Sequence, residues 1–210
     1  MSVTKPAKLR KTMLSSGIGF IAGVGGVMGF YALGGDVEWN GGRAAAGGVG
    51  LVYLMTGLFA LLGAAVPGLG ARLLNVSDIE ELLEQRALLM GSALWFIAFG
   101  VMLLCLAGAG PGGFVPDALA IAAVAVAFVS TVVVTLRQWR LYDELLRQLS
   151  WESSAFATTL ILPVLILWGG AVQLGYVGSM DPLAVIALAS AAILAGAVIA
   201  TGRRGLLAQR

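Results

Sequence analysis

Six long apolar stretches separated by short polar gaps set the pattern of this chain, and almost every charged residue lies in the gaps. The stretches cover about 13–33, 44–70, 87–107, 114–136, 155–176 and 183–201. A run of about 20 apolar residues crosses a hydrocarbon layer of about 30 Å as a helix. Only a helix or a closed barrel satisfies its backbone polar groups there. The pattern therefore predicts an all-α integral membrane protein, a bundle of six transmembrane helices with short cytoplasmic helical extensions. Residues 1–210 form a single membrane domain on this reading. An N-terminal run that is long, glycine-rich and followed by further spans fits a first span better than a cleaved leader.

Two gaps carry helix signals of their own. Ser77 followed by Glu80 is a capping box, and the acids Asp78, Glu80 and Glu81 suit the positive end of a helix dipole. Asp143 and Arg147 stand at i, i+4 in the favourable order. No Gly or Pro occurs from Ala118 to Leu162, so span four is expected to project beyond the bilayer, with Ser150 capping span five. Leu141, Leu145 and Leu149 share one helical face, and Ile79, Leu82 and Leu83 a smaller one. Such stripes lie on the lipid interface or bind a partner. Glu81-Leu82-Leu83-Glu84-Gln85 also matches Glu144-Leu145-Leu146-Arg147-Gln148 at a shift of 63 residues. That match suggests an internal repeat of 72–107 and 137–176, either a parallel repeat of the transporter kind or a simple duplication.

Charge adds orientation. If the spans alternate, twelve of the thirteen Lys and Arg fall on one side and only Arg43 on the other. Insertion leaves the basic side in the cytoplasm, so both termini are expected there. The segment Lys5–Lys11 reads as an anchor beside anionic lipid headgroups. Trp39, Trp168 and Tyr176 are expected at the outer interface.

Composition narrows the chemistry. With 59% hydrophobic and 11% charged residues, the chain lies far from the soluble norm of about 25% charged. No basic face suits direct nucleic-acid binding; membrane lipids are the expected surroundings. The chain has no histidine and a single cysteine, Cys105. It therefore lacks the commonest metal ligand and haem axial ligand, and any internal disulfide. No cofactor or metal is expected. All eleven carboxylates are assigned to loops, Asp117 at the very edge of the fourth stretch, and Glu81, Glu84, Asp143, Glu144 and Glu152 read as a solvated ion-pair network with Arg86, Arg140 and Arg147 rather than as acid–base groups. Gly108–Gly113 resembles a phosphate loop only in composition and reads as a turn. An enzyme is not expected.

Three readings remain for the other features. Gly19 and Gly23, Gly25 and Gly29, and Gly47, Gly50, Gly57 and Gly63 allow close helix approach. They are expected to join spans one and two as a tight hairpin, or to form a homo-oligomer face. The span hydroxyls of Thr56, Ser92, Ser130, Thr131, Thr135, Thr158, Thr159 and Ser190 are expected to bond back onto their own helices or to join a neighbouring helix. Pro163 frees a backbone carbonyl beside Thr158 and Thr159, and a cavity there would suit a carrier for a small uncharged or lipid-like molecule. Trp139, Tyr142 and Trp151 serve either as interface anchors or as part of a protein-binding patch.

The stretch from Tyr142 to Phe156, with its Asp143-Glu144 pair, Arg147 and small residues leading into a span, resembles a signature of small, uncharacterised multi-span bacterial inner-membrane proteins. Asp78 to Ala93 repeats it partially, with Glu84 in place of Arg147. The resemblance implies a partnership with small helix-turn-helix regulators, and so membrane sequestration of a transcription factor. The resulting expectation is a non-catalytic protein of the bacterial inner membrane that holds or regulates a cytoplasmic protein through loops 72–86 and 137–154. Leu82, Leu83, Arg140, Asp143, Glu144 and Arg147 are the expected contact residues.

Overall fold

The computed structural model describes residues 25–32, 34–35, 38–66, 68 and 79–205. Among these, five helices are long and apolar enough to cross a membrane. They are α1 (Gly41–Ala65), α2 (Ile79–Gly108), α3 (Asp117–Trp139), α4 (Glu144–Gln173) and α5 (Pro182–Arg203). They answer to expected spans two to six. A short helical segment at 25–32 precedes them. The rest of expected span one, with Gly19 and Gly23, lies outside the described residues, as do Lys5–Lys11 and Ser77.

Side-chain caps fix three helix starts. Asn40 accepts from the Arg43 N–H at 2.8 Å, Asp143 from the Leu146 N–H at 2.7 Å and Asp181 from the Leu183 N–H at 2.8 Å. Each satisfies one of the orphan donors of a first turn. Pro182 follows at the first helical position, where its missing N–H has no cost.

The Asp143 cap corrects the expected course of the chain. The helix of span four, α3, stops at Trp139 rather than running on toward span five, and the Leu141 and Tyr142 N–H groups fold back onto the Gln138 carbonyl at 2.8 and 3.0 Å. Asp143 then extends (φ −73°, ψ 177°) and opens α4 at once. Ser150 lies inside that helix and caps nothing. The carboxylate of Asp143 is committed to the helix start rather than to Arg147.

Successive helices run in alternating directions, as contacts at the two ends show. At one end Arg43 of α1 donates through Nη2 to the Ala109 and Pro111 carbonyls, both at 2.9 Å. The Gly110 N–H donates to Asp117 at 3.0 Å. Gly110 and Gly112 have φ of 80° and 70°, a left-handed turn that favours glycine. At the other end Gln138 of α3 reaches Leu88 of α2, and Arg204 after α5 reaches Glu152 of α4. Arg86, Arg137, Arg140, Arg147, Arg203 and Arg204 gather at this second end, hereafter the basic end.

Arg43 is thus a clamp on the α2–α3 turn. Arg43→Ala is expected to lower stability by about 2–3 kcal/mol, the value of hydrogen bonds from a charged donor. Arg43→Lys should recover only part, since an ammonium lacks the guanidinium fork. Unfolding in mixed detergent micelles reads both.

Helix packing follows small residues. A methyl added at Gly50 would meet Leu103 Cβ at 2.9 Å and the Gly100 carbonyl at 3.1 Å, and one at Gly57 would meet backbone of Ile97 and Ala93 at 2.8 and 2.9 Å. The glycine face of α1 therefore seats on α2. The expected hairpin of spans one and two falls mainly outside the described residues; within them Gly47 lies against Phe30 of the 25–32 segment, while a methyl added at Gly25 or Gly29 would meet nothing within 4 Å. Gly196 of α5 seats in the same manner against the Ser153 carbonyl of α4. Where lipid is as apolar as the side chains, such backbone approach is what drives helices together.

The resulting arrangement is a core of α1, α2 and α5, with α3 packed on α2 and α4 packed on α5. Aromatic residues fill its middle. Tyr53, fully buried, lies 5.8, 5.4 and 5.2 Å from the ring centroids of Trp95, Phe96 and Phe99. Its hydroxyl donates to the Ser190 carbonyl of α5 at 2.9 Å. The Trp95 indole donates to Thr131 of α3 at 2.8 Å. The outer faces of α3 and α4 carry exposed Ile121, Phe128, Ile166 and Leu167. A surface that is apolar over whole helices suits lipid.

Candidate functional site

The expected contact residues all lie at the basic end, in different settings. Arg140, Asp143, Glu144 and Arg147 are exposed. Leu83 is 49% exposed, whereas Leu82 is fully buried. The two arms of the proposed repeat each open a 30-residue helix, yet Leu82 is buried and its counterpart Leu145 is 46% exposed. The repeat does not extend to surroundings.

The expected ion-pair network takes another form. Between described residues the ion pair is Glu152 with Arg204, a fork in which Nη2 and Nε reach the two carboxylate oxygens at 2.6 and 3.0 Å. It ties the first turns of α4 to the end of α5. Arg203 beside it lies over the Phe156 ring, 5.2 Å from its centroid. Arg140, Glu144 and Arg147 make no ion pair with another described residue. Trp139 and Trp151 meet edge to face at 6.1 Å and Trp139 lies 6.4 Å from Tyr142. Exposed Leu141 and Leu145 complete the surface.

Inside this end lies a second feature. A cavity of about 490 Å³ has its floor on α2 and α5 and its walls on α3 and α4. The two wall helices do not pack along their lengths, so the cavity is a cleft between them, with Tyr142 of the α3–α4 turn in its lining. Its lining includes Ser92, Thr135, Gln138, Tyr142, Ser150, Ser153, Ser154 and Thr201, with no charged residue. A relay fixes one side. The Tyr142 hydroxyl donates to Gln138 Oε1 at 3.1 Å. Gln138 Nε2 in turn donates to Ser92 Oγ at 2.8 Å and to the Leu88 carbonyl at 3.1 Å. Burial pushes the Tyr142 phenol above its ordinary pKa, which keeps it a donor.

Hydroxyls elsewhere turn back onto their helices as expected, including Thr56, Ser130, Thr131 and Ser190. Thr158 and Thr159 do the same, donating to the Ser154 and Ala155 carbonyls at 2.9 and 2.8 Å. Both are exposed, as is Pro163, through which α4 runs on. The cleft is lined about a turn nearer the basic end, by Ser150, Ser153 and Ser154. The i, i+3, i+4 spacing of these serines placed them on one helix face, a signal outweighed in the sequence by the capping preference of serine.

Trp39, expected at the outer interface, packs on Phe30 and Tyr31 with ring centroids 5.2 and 4.7 Å away. Trp168 and Tyr176 are exposed. Among the described residues no group of three or more His, Cys, Asp or Glu could hold a metal ion.

The described residues form an all-helical structure, with five membrane-compatible helices, an exposed charged end and a neutral polar cleft. No protein-family model, curated protein or solved structure matches the chain.

Proposed function

We propose that this chain is a non-catalytic, six-span protein of the bacterial inner membrane, with both termini in the cytoplasm, that binds and holds a cytoplasmic protein at its basic end. The observation that supports this reading is the exposure of Arg140, Glu144 and Arg147, which form no ion pair with another described residue, beside exposed Leu83, Leu141 and Leu145. Exposed charges of both signs steer encounter with a complementary surface and select against wrong partners. Large aromatics such as Trp139 and Trp151 supply anchoring area. The resemblance of the Tyr142–Phe156 stretch makes a transcriptional regulator the partner class. Leu82 is buried and so lies behind that surface rather than on it, and Asp143 holds the first turn of α4 in place.

The test uses the full chain in detergent as bait. Wild type is expected to retain a soluble protein that the triple variant Arg140→Glu, Glu144→Lys, Arg147→Glu retains at least about tenfold less, as loss of a few interface hot spots requires. Equal retention, or none by wild type, rejects the reading. Topology has its own check. In a Cys105→Ala background, Gln148→Cys should react with a membrane-impermeant maleimide only after the cells are opened, and Ser179→Cys without opening.

A further inference from the structure

We infer that the cleft between α3 and α4 is a binding site for a neutral, hydroxyl-bearing amphiphile that enters sideways from the membrane. The chemistry of its lining selects the ligand. Among the described residues no charged side chain lines the cleft, so a phosphate or ammonium head would be buried without a partner, at heavy cost. Hydrogen-bonding capacity is nevertheless left over. Ser154 and Thr201 spend their hydroxyls on their own helices, and Gln138 spends both amide N–H groups on Ser92 and Leu88 while its oxygen accepts from Tyr142. Ser150 and Ser153 have side chains that make no hydrogen bond to another described residue, and both line the cleft. They face a head that itself carries donors and acceptors.

The rest of the cleft suits a tail. Val134, Leu146, Leu149 and Ile193 line it as well, and a fully water-soluble polyol would leave them against polar groups. Because α3 and α4 are packed on different neighbours, the gap between them admits a chain from the lipid. The volume of about 490 Å³ falls within the range of about 300–1,000 Å³ typical of small-molecule sites. The site is independent of the partner-binding surface, which is on the outside of the same end.

The experiment is photolabelling of the full-length protein in micelles with three probes that share one diazirine-bearing tail. The first is a monoacylglycerol, the second carries a phosphate in place of the free head hydroxyl, and the third is the bare alkane. The monoacylglycerol is expected to label cleft-facing peptides of α3 and α4 about tenfold more than either other probe, the value of one or two hydrogen bonds. Ser150→Ala with Ser153→Ala, a pair that favours the helix, should remove that excess and leave the fold intact by size-exclusion elution. Equal labelling by all three probes, labelling spread over the outer faces of α3 and α4, or an excess that survives the double substitution would overturn the inference. So would displacement of the probe by free glycerol, which would make the site one for a soluble polyol.

Discussion

Gly100→Ala is expected to destabilise the folded chain by about 2–3 kcal/mol, the upper part of the range for overpacking a tight contact. The added methyl would stand 2.8 Å from the Gly50 carbonyl and 2.9 Å from Leu54 Cα. Both obstacles are backbone, so no rotamer change relieves them, and α1 and α2 must separate. Gly57→Ala meets backbone from the other side, at Ile97 and Ala93, and should cost a similar amount. The sign of the effect is what identifies the cause. In an isolated helix alanine is favoured over glycine by about 1 kcal/mol. Gly169→Ala on α4, where nothing lies within 4 Å, should therefore be neutral or slightly stabilising. Mixed-micelle unfolding of the three variants separates helix–helix approach from helix propensity. Equal effects at Gly100 and Gly169 would remove close approach as the basis of the core.

The same contact shows what the sequence could and could not reveal. Spacing marked Gly47, Gly50, Gly57 and Gly63 as a smooth face on α1, because period alone fixes which residues share a helix side. It said nothing about which neighbour the face meets. Gly100 stands without a glycine partner at the same spacing in its own helix, and only the fold brings it opposite Gly50. Charge behaved similarly. The segregation of Arg86, Arg137, Arg140, Arg147, Arg203 and Arg204 from Arg43 was legible, since alternation of spans needs only their order. The pairing of Glu152 with Arg204, 52 residues apart, was not. Local rules instead pointed Asp143 toward Arg147, and the cap at Leu146 N–H won, because a chain turning without Gly or Pro must satisfy the first N–H groups of the new helix. The cleft was illegible for a third reason: its polar groups come from four helices, one or a few each, and no single stretch looks like a site.

Replacing Tyr53 should have the largest effect of any single side chain. Tyr53→Ala is expected to cost about 3–4 kcal/mol, in the range for emptying a buried aromatic position. The ring is wholly buried and touches three other aromatic rings of α2, so its loss leaves a void that those rings, held by the helix, fill only in part. The hydroxyl is a smaller share. Tyr53→Phe should cost about 1 kcal/mol, near the upper values for hydrogen bonds between membrane helices, because the Ser190 carbonyl loses one donor. Trp95 extends the chain of contacts to α3 through Thr131. Tyr53→Phe and Trp95→Phe should accordingly be non-additive by about 0.5–1 kcal/mol, as for neighbours that share a packing site. Leu167→Ala, on a residue 74% exposed on the outer face of α4, supplies the contrast and should change little. If Tyr53→Ala proved as mild as Leu167→Ala, α1 and α5 would have to be held together by other contacts. The close approach of Gly42 to the Asp181 carboxylate and of Ala46 to Ala187 would then be the leading contacts of that interface.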